Sequence, residues 1–240
     1  MPRSERPFRV IVTRPAEDAA ALAEKLAARG IEALLAPLLT IVPRKGIVIP
    51  PAAYQAVCLT SANGAAILRE HPALARLPAY AVGAQSAAAA RAAGFANVEA
   101  HGGDVEGLCS FIVKNCKPEN GPLLYVSGAA TSGDLAGVLG RHGFTMERVI
   151  AYDAVPQDMP DAAELIARAQ AVLLYSPRTA RLWQAQIEKH GLQDHMKVMP
   201  HLCLSAAVAH QLPAAWPRRV AEAPHETAML AALDRLREAE

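Results

Sequence analysis

The chain has few of the residues that usually announce a reactive centre. Its four cysteines among 240 residues, Cys58, Cys109, Cys116 and Cys203, form none of the close pairs that a zinc centre requires. Cys58 and Cys203 sit inside apolar runs, so buried thiols are expected rather than a disulfide or metal site. Lysine plus arginine number 24 against 23 acidic residues, and the net charge of +1 gives no general field for nucleic acid or an anionic membrane. No apolar run approaches the ~20 residues of a membrane span, and residues 1–9 lack the apolar core of a secretory signal, so a soluble, cytoplasmic protein is expected. Neither G-x-G-x-x-G nor G-x-x-x-x-G-K-[ST] occurs at a strand-to-helix turn, which disfavours a nucleotide-using transferase. The eight histidines are scattered without H-E-x-x-H, and no G-x-S-x-G makes a serine a hydrolytic nucleophile. His101-Gly102-Gly103-Asp104 resembles a phosphate loop only superficially; Asp104 reads as a helix N-cap with Glu106 in the first turn. Any anion must be held by local backbone donors, hydroxyls and one or two arginines.

What is present is a unit that occurs twice. Ala56-Val57-Cys58-Leu59-Thr60-Ser61 and Ala171-Val172-Leu173-Leu174-Tyr175-Ser176 are apolar runs ending in a small hydroxyl residue, each followed at once by a helix-forming stretch. Each is succeeded by a second apolar run that turns into an Ala-rich segment, Tyr80-Ala81-Val82-Gly83-Ala84 and Leu202-Cys203-Leu204-Ser205-Ala206. Two related α/β domains of about 100–130 residues follow from this doubling and from the chain length, and 52% hydrophobic residues are enough to fill two cores. The carboxyl end of a strand feeding a helix N-terminus is also where open α/β sheets bind ligands, so a cleft lined from both domains is expected.

The alternation of patterns predicts parallel sheets covered by helices. Strands are expected at 8–13, 55–61, 79–83, 98–100, 123–127, 171–176, 197–204 and 218–221. Helices are expected from Pro15 to Gly30, and at 62–70, 84–93, 104–115, 131–141, 162–169, 178–189, 205–212 and 226–238. The extended stretch 31–42, interrupted by Pro37, and the unusually long 144–155 read as a two-stranded connector; 43–51, rich in Pro, Gly and basic residues, reads as a loop.

Several strand ends carry candidate chemistry. Arg14, in Thr13-Arg14-Pro15, has two readings: a guanidinium aimed at a carboxylate or phosphate, or an arginine paired with Asp18 beside a capping threonine. Thr60-Ser61-Ala62-Asn63 and Ser176-Pro177-Arg178 are ordinary helix caps or ligand-facing donors, and the matching pair of copies favours a shared cleft. Gly83 and Ser127-Gly128 place small residues where a ligand or neighbouring backbone comes close. Tyr152, at the end of the long connector, is either a proton donor to a leaving hydroxyl or an aromatic packed across the hinge.

Taken in order, these segments resemble uroporphyrinogen-III synthase, of tetrapyrrole and heme biosynthesis. The resemblance rests on Val10-Ile11-Val12-Thr13-Arg14-Pro15, Pro37-Leu38-Leu39-Thr40-Ile41, Leu59-Thr60-Ser61-Ala62-Asn63, Val82-Gly83, Gly94-Phe95, Tyr125-Val126-Ser127-Gly128, Val149-Ile150-Ala151-Tyr152 and Tyr175-Ser176-Pro177. It implies two flavodoxin-like parallel-sheet domains joined by a two-stranded β-ladder hinge, with the ligand cleft between them. Domain 1 would be 1–38 plus 155–240 and domain 2 the inserted 39–154, with crossovers near 36–42 and 150–156. It implies a cofactor-independent, metal-free lyase, monomeric, that binds hydroxymethylbilane and makes transient contact with the upstream hydroxymethylbilane synthase. In the reaction implied, the bilane loses its hydroxyl, and the azafulvene formed passes through a spiro intermediate to a macrocycle with ring D inverted; uncatalysed closure gives the type I isomer.

By the same resemblance Tyr152 is the group that assists departure of the hydroxyl. Thr13, Arg14, Thr60, Ser61, Ala62, Asn63, Gly83, Ser127, Gly128 and Ser176 are the substrate-binding positions. Two segments depart from the family pattern: Ser205 stands near where glycine is commoner, and Gln85-Ser86-Ala87 where Thr-Ala is common. The competing expectation is a non-catalytic two-domain clamp for a small polyanion.

Overall fold

The two apolar runs that end in Ser61 and Ser176 form buried strands, and each serine caps the helix that follows. The computed structural model describes residues 7–101, 104–131 and 133–239; Gly102, Gly103 and Ser132 lie outside the described residues, as do 1–6 and 240. The first half of the chain runs β1 (Phe8–Val12), α1 (Ala16–Ala27), β2 (Ile31–Leu35), β3 (Leu39–Pro43), β4 (Ala56–Leu59), α2 (Ala62–Ile67), β5 (Ala79–Ala81), α3 (Ala84–Ala92), β6 (Val98–Ala100) and α4 (Val105–Asn115). The second half runs β7 (Leu123–Gly128), α5 (Leu135–Arg141), β8 (Met146–Pro156), α6 (Ala162–Arg168), β9 (Ala171–Leu174), α7 (Pro177–Lys189), α8 (Gln193–Met196), β10 (His201–Cys203), α9 (Ala206–Ala209), β11 (Arg218–Val220) and α10 (Glu226–Glu238).

The chain divides into two units, 1–40 with 155–240 and 41–154. The first contains a five-stranded sheet in the order β11-β10-β9-β1-β2, parallel throughout. The other sheet has six strands, β3-β8-β7-β4-β5-β6, in which β8 to β6 are parallel. Read from β2 to β11, the first sheet has the doubly wound order 2-1-3-4-5. The second has the same spatial order once β7 and β8 take the places of β1 and β2, and β4, β5 and β6 those of β9, β10 and β11. The doubled sequence unit therefore corresponds to topologically equivalent strands: β4 with β9, and β5 with β10. Each sheet combines a strand pair from one half of the chain with a strand triplet from the other, and β3 adds a sixth strand at the edge of the second.

Both faces of each sheet are covered, which is why the central strands are apolar without alternation. In the first unit Ile11, Val172 and Leu174 pack against Trp183 and Ile187, while Val10, Val12 and Leu173 face Leu22, Leu26 and Leu233. In the second, Val57, Leu59 and Leu124 pack on Ala65 and Ala87, while Cys58 and Leu123 pack on Leu108 and Ile112. Gly64 lets α2 close on β7, because a Cβ there would lie 2.7 Å from the Val126 carbonyl oxygen.

Several elements are shorter than their patterns suggest. The stretch 31–42 is two strands, since Pro37 between them supplies no ladder donor. The expected strand 197–204 is reduced to β10, because Val198 is 80% exposed in the turn after α8 and Pro200 precedes the ladder. α5 starts at Leu135, where the Asp134 carboxylate accepts from Gly137 N–H at 2.9 Å. The expected helix 205–212 is only α9, and 62–70 ends as a 3-10 turn over Leu68–Glu70. Asp104 does cap α4, accepting from Gly107 N–H at 2.8 Å.

Candidate functional site

In a sheet of order 2-1-3-4-5 the helices change sides between the first and third strands, and a crevice opens at their carboxyl ends. The switch point of the first sheet lies between β1 and β9, and that of the second between β7 and β4. Thr13 and Arg14 follow β1, Ser176 stands two residues past β9, Ser127 and Gly128 end β7, and Thr60 and Ser61 follow β4. Gly83 is two residues past β5, the next strand out. Most of the expected binding residues thus fall at one switch point or the other.

In the first unit, Thr13 is fully buried and its hydroxyl donates to the Leu173 carbonyl at 2.8 Å, bridging β1 to β9. It is not a helix cap: the residue before α1 is Pro15, and no side chain caps that helix. Arg14 lies 4.8 Å from the centroid of the Tyr175 ring and donates to Glu226 at 2.9 Å, with Asp18 at 3.6 Å. Glu226 also pairs with Lys25. Arg14 therefore sits in an acidic pair rather than facing an anion alone. Burial pushes the Tyr175 phenol up from its ordinary value. Ser176 caps α7, accepting from Thr179 N–H at 3.0 Å, and its hydroxyl is 2.8 Å from that of Thr179.

The second unit gathers more groups around one point. Ser61 caps α2 by accepting from Asn63 N–H at 3.1 Å, and Ala62 and Asn63 form the half-buried first turn. The Thr60 hydroxyl is 3.0 Å from the Tyr125 hydroxyl. Burial raises the Tyr125 pKa, an effect opposed by the bond to Thr60 and the charge of Arg148. Ser127 is buried and donates to the Gly128 carbonyl at 3.1 Å.

Tyr152 owes its orientation to an irregularity in the ladder. Ser127 pairs with Ile150, but Gly128 pairs with Tyr152, so Ala151 is an extra residue on β8. Strict alternation would put Tyr152 on the face opposite Val149 and Ala151. The shift instead turns it into the same apolar cluster as both, with the residue 8% exposed. Its ring lies on Gly128: a Cβ there would fall 2.6 Å from Tyr152 Cε2 and 2.8 Å from Cζ. Ala129 N–H donates to the Tyr152 carbonyl at 2.9 Å, completing the anchorage.

Gly83 differs from Gly128 in having no neighbour among the described residues. Its backbone is extended at φ −150°, and a Cβ there would meet no atom of the described residues within 4 Å. Neither conformation nor packing requires glycine, so Gly83→Asn, which supplies a favoured N-cap for α3, should leave the melting temperature within about 2 °C. Ser205 in the first unit is likewise an N-cap whose side chain makes no capping bond, and Ser86 is buried in α3.

Arg148 and Tyr125 belong to this cluster and were not among the expected site residues. The available signal was an arginine four residues before Tyr152 on the long stretch 144–155. Cysteine chemistry has no support, since burial raises the thiols of Cys58 and Cys203, the latter to about 12. Among the described residues no group of three or more His, Cys, Asp or Glu side chains is placed to hold a metal ion, and no helix is long and apolar enough to cross a membrane.

A family model described as uroporphyrinogen-III synthase HemD matches residues 20–231. Among solved structures, the uroporphyrinogen-III synthetase of Helicobacter pylori superposes with a TM-score of 0.66 at 16% identity, covering 95% of this chain and 99% of that one. A mutant uroporphyrinogen III synthase of the extremely thermophilic bacterium Thermus thermophilus gives 0.53 at 16% identity, covering 97% of this chain and 100% of that one. These two likenesses concern the fold. No curated protein sequence matches.

Proposed function

The chain belongs to the uroporphyrinogen-III synthase family, and from that premise we propose that it holds hydroxymethylbilane at the strand ends of its two sheets and closes it to uroporphyrinogen III, inverting the last ring and losing water. The observation that carries the proposal is the placement of the candidate residues at the switch point of each sheet, where unpaired helix N–H groups meet small and hydroxyl side chains. Such donors suit carboxylates, and a polycarboxylate substrate would spread its contacts over both units. The two-stranded connector of β3 and β8 would serve as the hinge between them.

The chemical requirement is modest but geometric. The terminal hydroxyl must leave, the substituted carbon of the last ring must attack the resulting azafulvene, and the spiro intermediate must reopen before the macrocycle closes. A phenol can donate a proton to a departing hydroxyl, the role proposed for Tyr152. The rest of the task is to hold the bilane so that ring inversion outruns the spontaneous type I closure, a matter of orientation more than of covalent catalysis. No cofactor enters the scheme.

The reading is tested by following hydroxymethylbilane consumption in a coupled assay: added protein should accelerate it well above the spontaneous rate, and an unchanged rate would refute catalysis. Gly83→Asn should raise KM several-fold at unaltered stability by filling space proposed for substrate; an unchanged KM would remove Gly83 from the site. Ser61→Ala and Ser176→Ala each lose a helix cap, costing about 0.5–2 kcal/mol of stability. Because contacts are distributed, each should lower kcat/KM only a few-fold. A well-folded but inactive single variant would contradict that distribution.

A further inference from the structure

One charged side chain at the carboxyl end of the second sheet is fixed in place without being neutralised. Arg148 pairs across the ladder with Tyr125, and its guanidinium carbon lies 5.9 Å from the Tyr125 ring centroid. Its Nε donates to Ser127 Oγ at 2.9 Å, and its Nη2 donates to the carbonyls of Gly128 at 2.8 Å and Ala129 at 3.0 Å. All three acceptors are uncharged. A guanidinium has five N–H donors, so these bonds leave both N–H groups of Nη1 without a partner among the described residues. No carboxylate of the described residues forms an ion pair with Arg148, whereas Arg14 has Glu226 and Asp18.

An exposed arginine ordinarily gains little from pairing, because ordering its long side chain offsets the Coulomb energy. Here the ordering is already done by three hydrogen bonds, so an arriving anion meets a preorganised donor. Gly128 connects that donor to Tyr152: its carbonyl accepts from Arg148, and its α-carbon lies beneath the Tyr152 ring. A carboxylate held on Nη1 is thereby held at a fixed position relative to the phenol.

We infer that Arg148 binds one carboxylate of the substrate through Nη1. The identity of the substrate rests on the synthase reading; the carboxylate site rests on the geometry around Arg148. Two measurements separate them. One is the steady-state kinetics of Arg148→Gln and Arg148→Lys with hydroxymethylbilane. The other is fluorescence titration of wild type and both variants with uroporphyrin III, an unreactive octacarboxylate.

For Arg148→Gln we expect KM and the uroporphyrin Kd each to rise about tenfold, with kcat within about threefold, and for Arg148→Lys an intermediate loss. Should Arg148→Gln fail to fold, Arg148→Lys, which keeps the charge but not the planar fork, reports the same quantities. Unchanged KM and Kd in a folded variant would overturn the inference, as would a collapse of kcat at constant KM, which would leave Arg148 only a support for the Gly128 peptide. If wild type yields only the type I product, the synthase reading falls while Arg148-dependent uroporphyrin binding still upholds the anchor. Wild-type protein that binds no uroporphyrin would overturn the anchor itself.

Discussion

Tyr152→Phe should lower kcat about 100-fold or more, the range spanned by general acid catalysis, while the melting temperature stays within about 2 °C. The substitution deletes only the hydroxyl. The ring remains in its apolar cluster with Val149 and Ala151 and over Gly128, so packing is preserved and the change isolates the proton. Turnover measured with saturating hydroxymethylbilane, beside a thermal melt, separates chemistry from folding. Near-normal turnover would leave the tyrosine an aromatic of the core and remove it as the acid.

Gly128→Ala is expected to damage both activity and stability, for one geometric reason. The added methyl would sit 2.6 Å from Tyr152 Cε2 and 3.1 Å from its hydroxyl oxygen, against ordinary carbon contacts of about 3.5–4.0 Å. The ring or the strand must move by roughly 1 Å, a misplacement that can cost about 100-fold in rate, and overpacking typically costs about 1–3 kcal/mol. The variant should therefore lose at least tenfold in kcat and melt several degrees lower. Gly83→Asn provides the contrast, with KM affected and stability intact. Wild-type kcat in Gly128→Ala would mean that the ring relaxes without consequence, and that its placement on Gly128 has no part in the reaction.

Much of the architecture is legible in the residues because burial on both faces makes each central strand an unbroken apolar run. The copies Ala56–Ser61 and Ala171–Ser176 are legible as relatives for the same reason, and they include the equivalent strands β4 and β9. What periodicity does not carry is decided by partners distant in sequence. Arg14 reads locally as a partner of Asp18, yet its shorter contact is with Glu226 at 2.9 Å, from the start of the last helix. The register shift that turns Tyr152 onto Gly128 arises from the pairing of β7 with β8, and no local pattern encodes it. Arg148 is visible as one charged residue beside Glu147 on the long stretch to Tyr152, but its three acceptors are on and just beyond another strand. The helix expected from Thr131 begins instead at Leu135, where Asp134 accepts from the Gly137 N–H.

The identity of the product tests the synthase activity most directly. Hydroxymethylbilane generated in situ by its upstream synthase would be incubated with this protein, the products oxidised, and the porphyrin isomers separated by chromatography. Type III should predominate, because the protein must favour ring inversion over spontaneous closure. Type I alone, from protein shown to be folded, would contradict it and leave a two-domain clamp for polyanions as the better description.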